Sequence, residues 1–461
     1  MKSKKRFYNI FWRWHFYAGI FIAPLLITLT ISGIGYLFYT NVENQMYDHL
    51  FFGDSTKSEN VSIDEAIENA ENQYDGYSVT KLIVLKDDYN TRFTMTNTEG
   101  DQKYVFIDDH NQIVGSQNAA TTYSNVMRGL HSSLFVGGTV VNYLVELAAC
   151  WAIFLLVSGV YMSFKGKVFK RQKGTKNKRQ DHKKLHSFTG TIIAIPMVIL
   201  IFTGLPWSAL MGNFIYSTAQ SHPSLGFTEL NEVPPTSDIN EIPWATRKNE
   251  APTSSDAHAH HNGMAGMSNM TDNSNKISVQ QLMEKVDESQ ISKPYSIVYP
   301  TGEDGVYTVS KGSNTGVTGL DVSPYEEMTT YFDQYSGKLI SKVDYEDYGI
   351  LGKWFTWGIP LHEGHLFGWP NKIINLLVCL AFLTVIIWGY KMWLDRKMKG
   401  KLSAPPKTPI GKSFVGFIIL LVILGIIMPL FGLSLIVIAF IELIIYLLQK
   451  NKNSNINEPI R

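Results

Sequence analysis

Trp14-His15-Phe16-Tyr17-Ala18-Gly19, running on without charge to Ser32-Gly33, decides how this chain is read. The pattern returns 171 residues later as Leu185-His186-Ser187-Phe188-Thr189-Gly190, running on to Thr203-Gly204. Histidine, glycine, alanine (Ala23, Ala194) and the closing glycine fall at identical offsets. A repeated apolar span with a histidine at one end describes a duplicated membrane unit that carries a ligand to the edge of the bilayer.

Working outward, 45% hydrophobic content over 461 residues is ordinary, so the signal lies in its placement. Uncharged runs cover 14–39, 185–216, 373–390 and 413–441, and 138–164 is interrupted only by Glu146. About 20 residues at about 1.5 Å each cross a hydrocarbon core of about 30 Å. The last run is too long for one span and folds back at Pro429 and Gly432, which gives six spans in all. The Lys-rich start fits a signal peptide, but the apolar run is too long and no small-residue cleavage site follows, so it reads as the first span. Cys150 and Cys379 both lie inside spans. That excludes a disulfide framework, a four-thiolate iron–sulfur cluster and Cys-x-x-Cys-His haem attachment.

Basic residues cluster in alternate loops: five in 1–13, ten in 165–184 and seven in 391–412. By the positive-inside rule these segments and both termini face the cytoplasm. The loops 41–137 and 217–370 hold 15 acids to 6 bases and 20 acids to 9, and face outward. The expected plan is therefore a cytoplasmic N-terminus and first span (1–40), an outer domain (41–137), span 2 (138–164), a basic loop (165–184) and span 3 (185–210). A second outer domain (211–370), span 4 (371–394), a cytoplasmic loop (395–412), a two-helix hairpin (413–449) and a cytoplasmic tail (450–461) follow. The fold class is an α-helical membrane protein in which a duplicated two-helix unit builds a four-helix core. Two small extracytoplasmic α+β domains and the C-terminal hairpin are added to that core.

Each outer loop reads as a helix followed by strands. Residues 62–74 form a capped, acid-first helix, followed by strands at Val79–Leu85, Thr91–Asn97 and Lys103–Ile107. Ser278–Val286 is the second helix, with strands at Tyr295–Tyr299, Gly305–Ser310, Thr329–Phe332 and Lys338–Ile340. Residues 222–275 are rich in Pro, Ser and Asn.

Histidines recur where spans meet the interface. His15 and His186 open spans 1 and 3, His131 precedes span 2, and His362 and His365 precede span 4. Neutral imidazole is a good axial ligand for haem iron. Two histidines at equal depth fill both axial positions, which suits electron transfer rather than oxygen chemistry. His15 pairs with His186 for an inner haem, and His131 pairs with His362 or His365 for an outer one: two bis-His haems b, non-covalently held. Gly19 and Gly190, four residues on, leave room for porphyrin on the ligand's face. Gly33 and Gly204 return to that face after five turns. Arg13, Lys183 and Lys184 are candidates for inner propionates, and Arg128 for outer ones. Each feature has a plainer reading: a lone interfacial histidine contacts headgroups, and small residues four apart pack helices. His182, four before His186, is a further candidate ligand. Glu146 reads either as a proton or quinol path, or as an acid that sits at the interface or pairs with Arg128. Trp354, Trp357 and Trp369 read as an interfacial aromatic belt. Within 256–270, His258, His260, His261, Met264, Met267 and Met270 form a His/Met tract suited to copper, or a low-complexity linker.

These motifs resemble the PepSY-associated transmembrane family, the group that includes iron-regulated inner-membrane proteins and ferric-siderophore reductases. The resemblance rests on the two His-x-x-x-Gly spans, Leu130-His131, Leu361-His362-Glu363-Gly364-His365 and the two outer domains, over about residues 7–395. It implies a cytoplasmic-membrane protein whose four-helix core carries b-type haems and passes cytoplasmic electrons outward to a ferric substrate. Some relatives look fused to a flavin reductase domain. This chain has none, so a separate flavin reductase or membrane quinol is the expected donor, and ferric siderophore or copper the expected acceptor. The terminal hairpin and the His/Met insert depart from the simplest family pattern. The lipid bilayer is the environment, and no nucleic-acid partner is expected. The competing readings are a PepSY protein that binds or regulates extracytoplasmic proteases, with helices as a mere anchor, and a metal transporter.

Overall fold

The computed structural model describes residues 2–86, 88–166, 178–222, 224–226, 276–312, 317–396, 403–405 and 412–456. In chain order the first elements are α1 (Lys2–Leu37), α2 (Tyr39–Met46), α3 (Asp48–Phe51), α4 (Ile63–Gln73), β1 (Tyr77–Val84), β2 (Thr91–Asn97), β3 (Gln102–Ile107) and β4 (Ile113–Asn118). Then come α5 (Tyr123–Ser133), α6 (Thr139–Lys165), α7 (Lys178–Ile192), α8 (Ala194–Gly204), α9 (Leu210–Ser221) and α10 (Val279–Glu288). The chain continues with β5 (Tyr295–Val298), β6 (Val306–Lys311), β7 (Met328–Asp333), β8 (Leu339–Asp344), α11 (Ile350–Glu363), α12 (Trp369–Leu394), α13 (Lys412–Ile427) and α14 (Pro429–Ile456). These elements form two compact units, one from residues 1–34, 129–215 and 374–461, the other from 35–128 and 216–373.

The first unit is helical. Among the described residues, Arg6–Leu37, Thr139–Lys165 and Trp369–Leu394 are long and apolar enough to cross a membrane. The third expected span is not one straight rod: α7 and α8 meet at a 55° bend. Pro196 explains the break, because it has no N–H for the carbonyl of Ile192 and its ring crowds that carbonyl. The flanking bonds, Ile193 N–H to Thr189 O and Met197 N–H to Ile193 O, are intact. Leu26, Ala148, Ala152, Leu156, Ile193, Ala194, Met197, Val378 and Phe382 are buried together, which packs α1, α6, the α7–α8 bend and α12 around one core. The C-terminal run folds back as expected, into two shorter apolar helices that turn at Met428, with Pro429 opening α14. Phe417, Leu421 and Phe431 of this hairpin pack on Phe11, Trp151 and Phe154 of α1 and α6.

The second unit carries the strands, and here the expectation of two separate outer domains is corrected. All eight strands join one antiparallel sheet in the order β4-β3-β2-β1-β5-β6-β7-β8. The join is β1 with β5, where Lys81 faces Val298 and Val84 faces Tyr295. Leu82, Phe93, Met95, Val105, Ile297, Val309 and Phe332 are buried against Ile63, Ala66 and Ala70 of α4 and Leu282 and Val286 of α10. Ile83 and Leu85 are buried against Val317 and Leu320, and Phe106 against Leu50 and Phe51 of α3. Both helices start as the sequence predicts. Ser62 accepts from Glu65 N–H, and Ser278 and Gln281 form a reciprocal capping box. Asp64, in the first turn of α4, also accepts from Val279 and Gln280 N–H at 2.7 and 3.1 Å. It thereby clamps the start of α10 to its neighbour.

Candidate functional site

The first site stands where α1 and α7 each present a histidine. The rings of His15 and His186 lie 6.2 Å apart, centre to centre, with planes at 87°. Two imidazoles bound on opposite sides of one metal at about 2.0–2.1 Å from each nitrogen have ring centres roughly 6–6.5 Å apart. The observed spacing and the donor chemistry therefore fit a bis-imidazole iron.

The orientation of each ring is built by the neighbouring helix. His186 Nδ1 is 2.9 Å from the Val385 carbonyl of α12. A carbonyl only accepts, so Nδ1 carries the proton and Nε2 carries the lone pair that a metal needs. One turn on, Gly389 leaves the ring its space: a Cβ there would stand 3.5 Å from His186 Cε1. His131, on α5, is seated the same way against α1. Its Nδ1 donates to Leu29 O at 2.9 Å, with Ser32 Oγ 3.1 Å away, and a Cβ on Gly33 would meet His131 Cε1 at 3.3 Å. His15 uses α6, where its Nδ1 is 2.8 Å from Ser158 Oγ, which in turn donates to Leu155 O at 3.2 Å. A Cβ on Gly159 would stand 3.3 Å from His15 Cε1. All three seats thus share one register: a carbonyl at position i anchors the nitrogen, directly or through serine, and a glycine at i+4 receives the ring.

The glycines singled out from the sequence are placed as well. Gly33 faces His131, whose Cε1 a Cβ there would meet at 3.3 Å. Gly19 and Gly190 lie beside the neighbouring helices, with Leu155 Cδ2 and Val385 Cγ1 at 3.9 and 3.8 Å from a Cβ built on them. Gly204 closes α8. Gly159, Gly389, Ser158 and Val385 were not singled out from the sequence. The signal for one pair was there: Ser158-Gly159 matches Ser32-Gly33 and Thr203-Gly204.

The charged candidates are also placed. Arg13 donates to the Pro405 carbonyl and to Tyr17 Oη and lies over the Tyr17 ring. Lys183 and Lys184 are exposed on α7. His182 pairs with Asp395 at 3.3 Å. Arg128 bonds Asn125 on its own helix. Glu146 is buried, and its carboxylate accepts from Leu210 N–H at 2.8 Å and from Met211 N–H, capping α9.

In the second unit, His362 sits near the end of α11 and is partly buried. His365 is corrected as a candidate ligand. Its Nδ1 donates to Asp321 at 2.9 Å and its Nε2 to Glu363 at 3.1 Å, so both nitrogens are committed to carboxylates. Burial opposes the charge on His365, but the two carboxylates outweigh it and push its pKa up to about 9. Glu363 also accepts from Tyr36 Oη at 3.2 Å. Of the three tryptophans, Trp357 donates to Tyr345 Oη at 3.0 Å, and Trp369 is exposed with Lys372 against its ring. The His/Met tract at 256–270 lies outside the described residues. Among the described residues, no group of three or more His, Cys, Asp or Glu is placed to hold a metal ion.

A family model described as the PepSY-associated TM region matches residues 12–396, more than half of the chain, and the protein belongs to that family. No curated protein matches the sequence.

Proposed function

We propose that this multi-pass PepSY-associated protein moves electrons across its membrane through haem b and reduces a chelated metal outside the cytoplasm. The observation that carries this reading is the 6.2 Å spacing of His15 and His186. Both rings are seated by neighbouring helices, and a direct carbonyl contact sets Nδ1 of His186 as a donor. His15 and His186 would hold the inner haem, and His131 is the ligand for a second one. Its seat at Leu29–Gly33 is about 21–27 Å along α1 from His15, close to the thickness of a bilayer core.

Haem b bound there would supply a one-electron ferric/ferrous couple. His15 and His186 would hold it, with their rings seated by Ser158 and by the Val385 carbonyl. A flavin reductase or membrane quinol gives the electron, and a ferric siderophore takes it, one electron per ferric ion reduced to ferrous. Reduction weakens the chelate and frees the metal. Cupric ion is the second candidate substrate.

The visible spectrum of the purified protein tests this. Split b-type bands are expected, falling by about half in His15→Ala or His186→Ala and losing the remainder when His131→Ala is added. A colourless, folded preparation from haem-replete cells refutes the proposal.

A further inference from the structure

The three histidine seats share a register but differ in what fixes the ring. His186 Nδ1 meets a backbone carbonyl directly. His131 Nδ1 has a backbone carbonyl and Ser32 Oγ. His15 Nδ1 meets one side-chain oxygen, that of Ser158, at 2.8 Å. Ser158 is fully buried.

A serine hydroxyl has one proton, and its direction decides which nitrogen of His15 can bind a metal. If that proton points at Nδ1, His15 is protonated on Nε2 and is no ligand. If it points along the helix to a carbonyl, the oxygen lone pairs face the ring and Nδ1 must carry the proton. Hydroxyls in helices bond back to carbonyls three or four residues earlier. Ser158 has such an acceptor in Leu155 O at 3.2 Å. Ser163, Thr30 and Thr203 follow the same habit within this unit. Unlike these three, Ser158 has an imidazole nitrogen on its other side, an arrangement that Ser32 shares at His131.

We infer that Ser158 is a positioning residue that fixes the tautomer and ring plane of His15 and thereby sets the reduction potential of the inner centre. The inference rests on His15 and His186 being ligands to one iron. A hydrogen bond from Nδ1–H makes Nε2 a stronger donor and so favours ferric iron. Its loss raises the potential and frees the ring to turn. The outer centre has its own seat and serves as the internal control.

The test is a redox titration followed optically, with the low-spin electron paramagnetic resonance spectrum, on full-length wild type, Ser158→Ala and Ser158→Thr. In Ser158→Ala the inner centre is expected to titrate at a higher potential with an altered low-spin signal, while the outer centre is unchanged. Ser158→Thr keeps the hydroxyl and is expected to keep both wild-type properties. If Ser158→Ala loses the inner haem, its retention in Ser158→Thr supports the inference, and its loss there too overturns it. An unchanged potential and signal in Ser158→Ala also overturns it. Wild type without haem instead refutes the reading of His15 and His186 as ligands, so the two failures are distinguishable.

Discussion

The glycine seats make a graded prediction. Gly159→Ala places a methyl 3.3 Å from His15 Cε1, and Gly389→Ala places one 3.5 Å from His186 Cε1. Carbon–carbon contacts are most favourable at about 3.5–4.0 Å, so the second methyl fits while the first requires the ring to move a few tenths of an ångström. Alanine also gains about 0.5–1 kcal/mol over glycine within a helix. Gly389→Ala is therefore expected to be stabilising by up to about 1 kcal/mol with an unchanged spectrum. In Gly159→Ala the gain is offset by crowding. Valine adds two further carbons at each site, about 1.5 Å beyond the methyl position, which overlaps the ring and costs about 1–3 kcal/mol or displaces it. Displacing His15 breaks its 2.8 Å contact with Ser158. Gly159→Val is thus expected to lower the haem-to-protein ratio by about half, read from the pyridine haemochrome against protein concentration, with detergent-phase melting as the folding control. A Gly159→Val protein with a full haem complement and a native spectrum would refute the argument that these glycines seat the rings.

Other consequences follow from single contacts. Glu146→Ala leaves the Leu210 and Met211 amides unpaired in a buried setting, so the melting temperature is expected to fall by the equivalent of about 1–3 kcal/mol while haem content stays unchanged. A drop in haem without a drop in stability would contradict the capping role. The pKa of His365, about 9, is raised above its ordinary 6.5, so its contribution to stability is complete below 6.5 and lost as pH rises through about 9. Asp321 behaves in the opposite sense. Burial would raise its pKa, but the hydrogen bond and charge of His365 hold it below 3.8, so its contribution fades as pH falls below that value. Melting followed over pH should show both limbs, and His365→Ala should flatten the alkaline one while leaving the haem bands intact. Gly364 ends α11 at φ +84°, and a Cβ there would come within 2.3 Å of Leu37 Cδ1, so Gly364→Ala is expected to lose stability through both strain and overlap. An unaltered melting curve would show that Leu37 yields freely.

The legible part of the molecule was local. Uncharged runs mark the membrane helices, and Ser62 and Ser278 announce the helices that they cap, because such signals act within a few residues. The break at Ile193 was missed because an apolar run says nothing of straightness, although Pro196 carried the reason. Strand β4, with Gly115, Ser116 and Asn118 at the rim of the sheet, has the composition of a turn. The union of the two strand-bearing segments was hidden because β5 is buried at every residue, and a short apolar run names no partner. At the histidine site, the ligand positions showed as a repeat, but the carbonyls that orient the rings are backbone atoms with no letter of their own.

The union of β1 with β5 also constrains how the protein is made. About 210 residues separate the paired segments, and α6, α7 and α8 must emerge between them. At about 5–20 residues per second, synthesis holds β1 without its partner for about 10–40 s. During that interval a row of unpaired amides and carbonyls in the Lys81–Val84 stretch invites foreign strands. A nascent chain stalled before Tyr295 therefore carries an adhesive border that the finished protein conceals.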